Sequence, residues 1–236
     1  MRVAALADIH GNVDALAAVL ADRRCAEADA VVVLGDAIAG PFPAETFDAL
    51  AQLGDRVHAL LGNADRLVLD EETEVSRWRR ERMGEERMSV VRAWPKTFAL
   101  DIDGLGAVRF CHAVPRSDEE LVTPLTPESD FVAALAGTVE DVVAGGHLHI
   151  QFDRVLGDHR FINVGSVGWP YEGRPGAYWA LLGPDVRLMR SDYDVEAAAD
   201  AIRASGHPGA AERLHELLDP PGPAEMARRF EELRAA

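Results

Sequence analysis

Val3-Ala4-Ala5-Leu6-Ala7-Asp8-Ile9-His10-Gly11-Asn12 is apolar as far as Ala7 and then turns, at Asp8, to side chains that carry lone pairs. An unbroken apolar run of this length predicts a buried strand, and Asn12 can cap a following helix with Val13, Leu16, Val19 and Leu20 as its apolar stripe. The same design recurs downstream. Val31 to Leu34 ends in Gly35-Asp36, and Val57 to Leu61 ends in Gly62-Asn63, with Pro41 to Pro43 leading into a helix near 44–53. Strand–helix–strand alternation predicts right-handed parallel crossovers, and the ends of such strands are where α/β folds collect side chains into one crevice.

Residues 66–96 break this rhythm. Arg77, Arg79, Arg80, Arg82 and Arg87 lie among Glu71, Glu72, Glu74, Glu81, Glu85 and Glu86, which predicts one or two salt-bridged helices. Two accounts fit: a solvated face with Trp78, Met83, Val90 and Val91 turned inward, or a cap that brings an arginine over a ligand. Short strands follow at 98–102, 108–111, 142–144, 152–156, 161–164, 178–182 and 186–190, with hairpin turns at Asp103-Gly104, Gly157-Asp158 and Gly183-Pro184-Asp185. A helix is expected at 127–135, and three more at 194–204, 210–218 and 224–234. The expected fold is α/β, a four-layer αββα sandwich of two mixed β-sheets flanked by helices. The chain reads as one domain over 1–236, with a helical cap-like insertion at about 66–96 and C-terminal helices at about 194–236.

With 236 residues, 48% of them hydrophobic, the chain can bury one substantial core. The net charge of −16 argues against broad attraction to nucleic acid or anionic lipid, although bound cations can reverse the field locally. Cys25 and Cys111 make no disulfide framework and fit a reducing cytoplasm, the expected compartment. No stretch reads as a signal-peptide core or a membrane span.

Two further apolar runs deliver donors: Val108 to Cys111 ends at His112, and Val142 to Ala144 leads to Gly145-Gly146-His147-Leu148-His149. The expected metal ligands are therefore Asp8, His10, Asp36, Asn63, His112, His147 and His149. Carboxylates and imidazoles suit borderline divalent ions, with manganese foremost and iron, zinc or nickel as alternatives. These donors exceed the four of a closed structural zinc site, so two divalent ions are expected. Asp36 has two oxygens with which to bridge ions ~4 Å apart. Gly35, Gly62, Gly145 and Gly146 are expected to permit sharp backbone turns. His58, His159, His207 and His215 read as structural residues.

This series, Asp8-x-His10, Gly35-Asp36, Gly62-Asn63, His112 and Gly146-His147-x-His149, resembles the calcineurin-like metallophosphoesterase superfamily, and within it the small YfcE-type phosphodiesterases. The resemblance implies that Asp8, His10, Asp36 and His149 hold a first metal, that Asp36 bridges, and that Asn63, His112 and His147 hold a second. Asn163-Val164-Gly165-Ser166 is similar to the family's Asn-Pro-Gly-Ser turn beside the metals. Many phosphatases of the superfamily carry a leaving-group histidine after Gly-Asn; here Ala64 stands in that place, followed by Asp65.

The implied function is hydrolysis of a small, nucleotide-like phosphodiester by a metal-bridging hydroxide, with Asp36, Asn63 and His112 as catalytic residues and Asn63 and Arg174 as substrate contacts. Alternatives are a dinucleoside polyphosphate hydrolase, a protein or mono-ester phosphatase, and an inactive scaffold of the same fold that binds a protein. The expected partner is a small phosphoester, with self-association into a homo-oligomer left open.

Overall fold

The apolar runs pair into two five-stranded sheets. The computed structural model describes residues 1–235; Ala236, the end of the expected C-terminal segment, lies outside them. In chain order the strands are β1 (Val3–Leu6), β2 (Ala30–Val33), β3 (Val57–Ala59), β4 (Thr97–Ile102), β5 (Gly106–Cys111), β6 (Val142–Gly145), β7 (Gln151–Leu156), β8 (His159–Val164), β9 (Ala177–Leu182) and β10 (Val186–Ser191). The first sheet has the order β10-β9-β1-β2-β3 and the second β4-β5-β6-β8-β7. Both are mixed: β1, β2 and β3 run parallel, as do β5, β6 and β8, and antiparallel strands complete each sheet.

Alternation along β1 shows how the layers are built. Val3, Ala5 and Ala7 pack into the core between the sheets, with Val32, Phe110, Ala144 and Ile162. Ala4 and Leu6 face the other way, toward α1 (Val13–Ala21), whose Leu16 and Val19 join the same cluster. Also on that outer layer are α2 (Arg23–Ala26), α3 (Pro43–Ala51), α4 (Asn63–Asp70) and α5 (Glu74–Arg92). Against the far face of the second sheet lies α6 (Glu128–Ala134), through Phe131 and Ala134. The result is the expected helix–sheet–sheet–helix sandwich. Phe110 is fully buried at its centre. Phe110→Ala is expected to cost about 3–5 kcal/mol, read as a lower midpoint in urea unfolding at unchanged slope.

Asn12 caps α1 as its sequence implied, accepting the Ala15 N–H at 3.1 Å, while its amide donates to the Gly168 carbonyl at 3.1 Å. Residues 66–96 form α4 and an α5 broken at Gly84, where the backbone leaves the helical region (φ 71°). The expected inward set is corrected at Val90, which is 47% exposed, whereas Met83, Met88 and Val91 are buried. Met88 and Val91 stand three residues apart on one face, so Val90 is turned away from it. The tail forms α7 (Val195–Ala204), α8 (Ala210–Leu218) and α9 (Pro223–Arg234), with Ala199, Ile202 and Leu217 forming a small core between α7 and α8. Cys25 and Cys111 are buried and free. No described helix is long and apolar enough to cross a membrane.

Candidate metal centre

Strand ends set the positions of the donors. Asp8 and His10 follow β1, Asp36 follows β2, Asn63 opens α4, His112 follows β5, and His147 and His149 follow β6. Asp8, His10, Asp36, His147 and His149 all have φ between 49° and 70°, in the left-handed region. Asp and His enter that region more readily than most residues, yet a series of them marks a backbone whose conformation is imposed by its surroundings. His10 N–H donates to the Asp36 carbonyl at 2.8 Å and Gly146 N–H to that of His112 at 2.7 Å, tying the loops together. The expected role of the glycines holds only for Gly35 (φ 85°). Gly62 and Gly146 are instead required for space: a Cβ on Gly62 would lie 2.2 Å from Asp36 Oδ1, and one on Gly146 2.4 Å from Ala7 Cβ. Gly145 is crowded in the same way, with a Cβ 2.9 Å from the Ala113 carbonyl.

All seven predicted ligands converge. Asp8 Oδ1 lies 3.2 Å from His149 Nε2 and 3.8 Å from His10 Nε2. Asp36 Oδ2 lies 3.4 Å from His112 Nε2 and 3.7 Å from His10 Nε2. Asn63 Oδ1 lies 2.8 Å from His112 Nε2 and 3.1 Å from His147 Nδ1. Two overlapping sets, Asp8-His10-His149 and Asp8-Asp36-His112, have ligand atoms within 4.8 Å of one another. Of the two Asp36 oxygens, Oδ1 accepts the Ala64 N–H at 2.8 Å and Oδ2 faces His10 and His112.

Each imidazole is held from behind. His112 Nδ1 donates to the Leu34 carbonyl at 2.7 Å, His10 Nδ1 to that of Ala39 at 3.3 Å, and His149 Nδ1 to that of Trp169 at 2.5 Å. His147 is reversed, with Nε2 3.2 Å from the Glu119 carbonyl. These contacts hold a proton on the outer nitrogen of each ring and turn the other nitrogen inward, a lone pair whenever the ring is neutral, as outer-shell carbonyls do for metal-bound histidines. Consequently the Nε2 atoms of His10 and His149 face each other at 3.2 Å, and Asp8 Oδ1 is buried with no hydrogen-bond donor among the described residues. Facing lone pairs and an orphaned carboxylate oxygen call for a cation between them, so the donor set fits divalent metal.

Charge follows from this crowding. Burial alone would push Asp36 up, but His112 and His10 outweigh it and hold the carboxyl below its usual range; His149 does the same for Asp8. Burial also opposes a charge on His112, yet Asp36 and Asp8 raise it to about 10. Burial lowers His10 to about 3 and, helped by His112, lowers His147 to about 4.

Asp65, Trp169 and Tyr171 were not singled out by the sequence, whereas the turn that ends at Ser166 was. Asp65 is buried and accepts N–H groups from Ile38 at 3.0 Å, Ala37 at 3.3 Å and Gly62 at 3.4 Å, stapling the Asp36 loop to α4. Its position two residues after Asn63 was the only signal. Trp169 meets His10 edge-on at 5.5 Å, and Tyr171 stacks on His149 at 5.0 Å. Ser166, in the Asn163–Ser166 turn, donates to the Asp8 carbonyl at 2.8 Å. Arg174, by contrast, is exposed, and no hydrogen bond or ion pair joins it to a donor residue among the described residues. Of the four histidines read as structural, His207 is buried, His159 is half-buried, and His58 and His215 are exposed.

The chain is similar to a metallophosphoesterase from Sphaerobacter thermophilus, with 25% identity, 91% of this chain and 98% of that one covered, and a TM-score of 0.73. A hypothetical protein from Pyrococcus horikoshii OT3 shares the fold at a TM-score of 0.79, with 21% identity over 94% of this chain and 99% of that one. An uncharacterised protein of Methanocaldococcus jannaschii is 26% identical over 230 residues, 85% of this chain and 91% of the relative. The model of the calcineurin-like phosphoesterase superfamily domain matches residues 1–183, which span every converging donor, and the chain belongs to that superfamily.

Proposed function

We propose that this chain is a metal-dependent phosphoesterase that binds two divalent ions and acts preferentially on a small, nucleotide-like phosphodiester. The observation that carries the reading is the pair of facing imidazole nitrogens beside the orphaned Asp8 oxygen, an arrangement that repels itself until a cation enters. In this reading Asp8, His10, Asp36 and His149 hold one ion, and Asn63, His112 and His147 join Asp36 around the other. When bound, divalent ions supply Lewis acidity, activating water near neutral pH and neutralising phosphoryl oxygens.

The chain's own residues do the rest. Asp36 Oδ2 sits between the two halves and sets their spacing, while Ala64 N–H fixes its other oxygen. Asn63 contributes a neutral oxygen, which leaves more positive charge available to a substrate phosphate. The preference for diesters rests on Ala64, which stands where a leaving-group histidine is found in many phosphatases of the superfamily. Without an acid at that position, esters with good leaving groups react best. Ala64→His is expected to raise mono-ester hydrolysis relative to diester hydrolysis; an unchanged ratio would count against this account.

The deciding experiment is turnover of a chromogenic bis-ester and of the matching mono-ester, with manganese added to chelator-stripped protein. Bis-ester activity that returns only with metal supports the reading, and inactivity with every divalent ion refutes it. Because the carboxylates hold a proton on His112 until metal displaces it, apparent metal affinity should rise with pH up to about 10. Metal titration in weak buffer at pH 7 is expected to release about one proton per chain.

A further inference from the structure

Arg213 lines a cleft with His10, and Arg79 reaches the loop between α7 and α8 through His207. Arg213, on α8, donates from Nη2 to the Ala39 carbonyl at 2.8 Å, the same oxygen that His10 Nδ1 faces at 3.3 Å. Its guanidinium lies over the Trp169 ring, with Cζ 4.3 Å from the centroid, and Trp169 in turn meets His10 edge-on. Arg213, His10, Trp169 and Pro41 line one narrow cleft. Arg79, on α5, sets an Nη2 atom 3.1 Å from His207 Nε2 and leaves its Nε buried without a partner. Trp169 Nε1 is likewise buried and has no partner among the described residues.

Neither guanidinium has a carboxylate within ion-pair distance among the described residues, whereas Arg66, Arg87, Arg109 and Arg160 all do. What sets these two apart is that they are at least half-buried while they lack such a partner. Burial pushes Arg79 down to about 10 and Arg213 to about 9, and mutual repulsion adds to the effect on Arg213. Asp36 offsets part of this for both, Asp65 helps Arg79, and Glu216 and Tyr171 help Arg213. Once divalent ions engage Asp36, that compensation is spent, and partly buried cations without counter-charge are costly.

Resting on the phosphoesterase reading, we propose that Arg79 and Arg213 form an anion clamp on the His10 side of the crevice that grips a phosphoryl group of the substrate. Planar guanidinium forks match phosphoryl oxygens, and an anion with several oxygens would satisfy both. Arg213 lies beyond residue 183, outside the segment that matches the family domain, whereas Arg79, on α5, lies within it. The gripped group is either the reacting phosphoryl or a second phosphate on the same substrate.

The test is calorimetric titration of orthophosphate and of pyrophosphate into the manganese-loaded full chain and into Arg79→Gln, Arg213→Gln and the double variant. Orthophosphate affinity is expected to fall about tenfold in each single variant and further in the double, the loss expected of a charge-assisted hydrogen bond. Manganese content and the phosphate-free melting temperature should stay unchanged, and KM for the bis-ester should rise with little change in kcat. A similar loss for both anions places the clamp on the reacting group. A loss confined to pyrophosphate places it on a second phosphate. Unaltered affinity for both anions in the double variant overturns the proposal. If Arg213→Gln sheds metal or unfolds, Arg79→Gln, on a separate and partly exposed helix, carries the decision. Should the wild-type chain turn over no ester, the hydrolase reading fails, while the anion titrations still judge the clamp.

Discussion

Asp36→Asn is expected to lower phosphoester turnover by on the order of 10³-fold and to reduce metal bound at both halves of the crevice. The two carboxylate oxygens have different duties: Oδ1 accepts the Ala64 N–H, and Oδ2 lies within 3.7 Å of both His10 and His112. An asparagine has only one oxygen to offer. If that oxygen turns to Ala64, an NH₂ group points into a cluster of donor lone pairs and meets any ion with hydrogens. If it turns inward, the amide meets the Ala64 N–H donor to donor. Removal of the shared negative charge weakens both half-sites in either case. Metal per chain by elemental analysis, together with kcat at saturating manganese, checks this; near-normal values for both would refute the bridging role.

Gly40→Ala is expected to destabilise the fold by about 3 kcal/mol and to empty the His10 half of the centre. A Cβ on Gly40 would stand 1.6 Å from the His10 carbonyl oxygen and 2.2 Å from its carbon. Backbone cannot swing aside as a side chain can, so His10, already at φ 49°, has to move. Gly222→Ala, with nothing within 4 Å, is the matched control and should lose far less. Thermal unfolding with and without manganese separates the outcomes. A Gly40→Ala protein that keeps both its melting temperature and its metal-induced stabilisation would show that the loop yields.

The fold was legible because burial on both faces writes long apolar runs into the sequence, as in Val3–Ala7 and Val31–Leu34, and because donors cluster where those runs end. The family match and the two sheets agree with that reading. What escaped depends on distances that no local pattern encodes. Gly62 and Gly146 read as turn residues, yet they are small because Asp36 and Ala7 press on them. Arg79 sits among similar arginines on α5, and only its unpartnered Nε distinguishes it from Arg80 and Arg87, which pair with Glu72 and Asp48. Arg213 lies in a helix with no apolar strand before it, so the rule that found the other site residues passes over it. Arg174, chosen for its place in a glycine- and proline-rich loop, is exposed.

The carbonyl oxygens of Leu34, Ala39, Trp169 and Glu119 hold the four imidazoles in their final orientations before any ion arrives. An incoming cation therefore spends almost nothing on freezing rotamers and loses mainly its hydration shell, the cheapest form of preorganisation. Exchange of one divalent ion for another should alter reaction rate through the ion's own chemistry, while the mould that receives it keeps its shape.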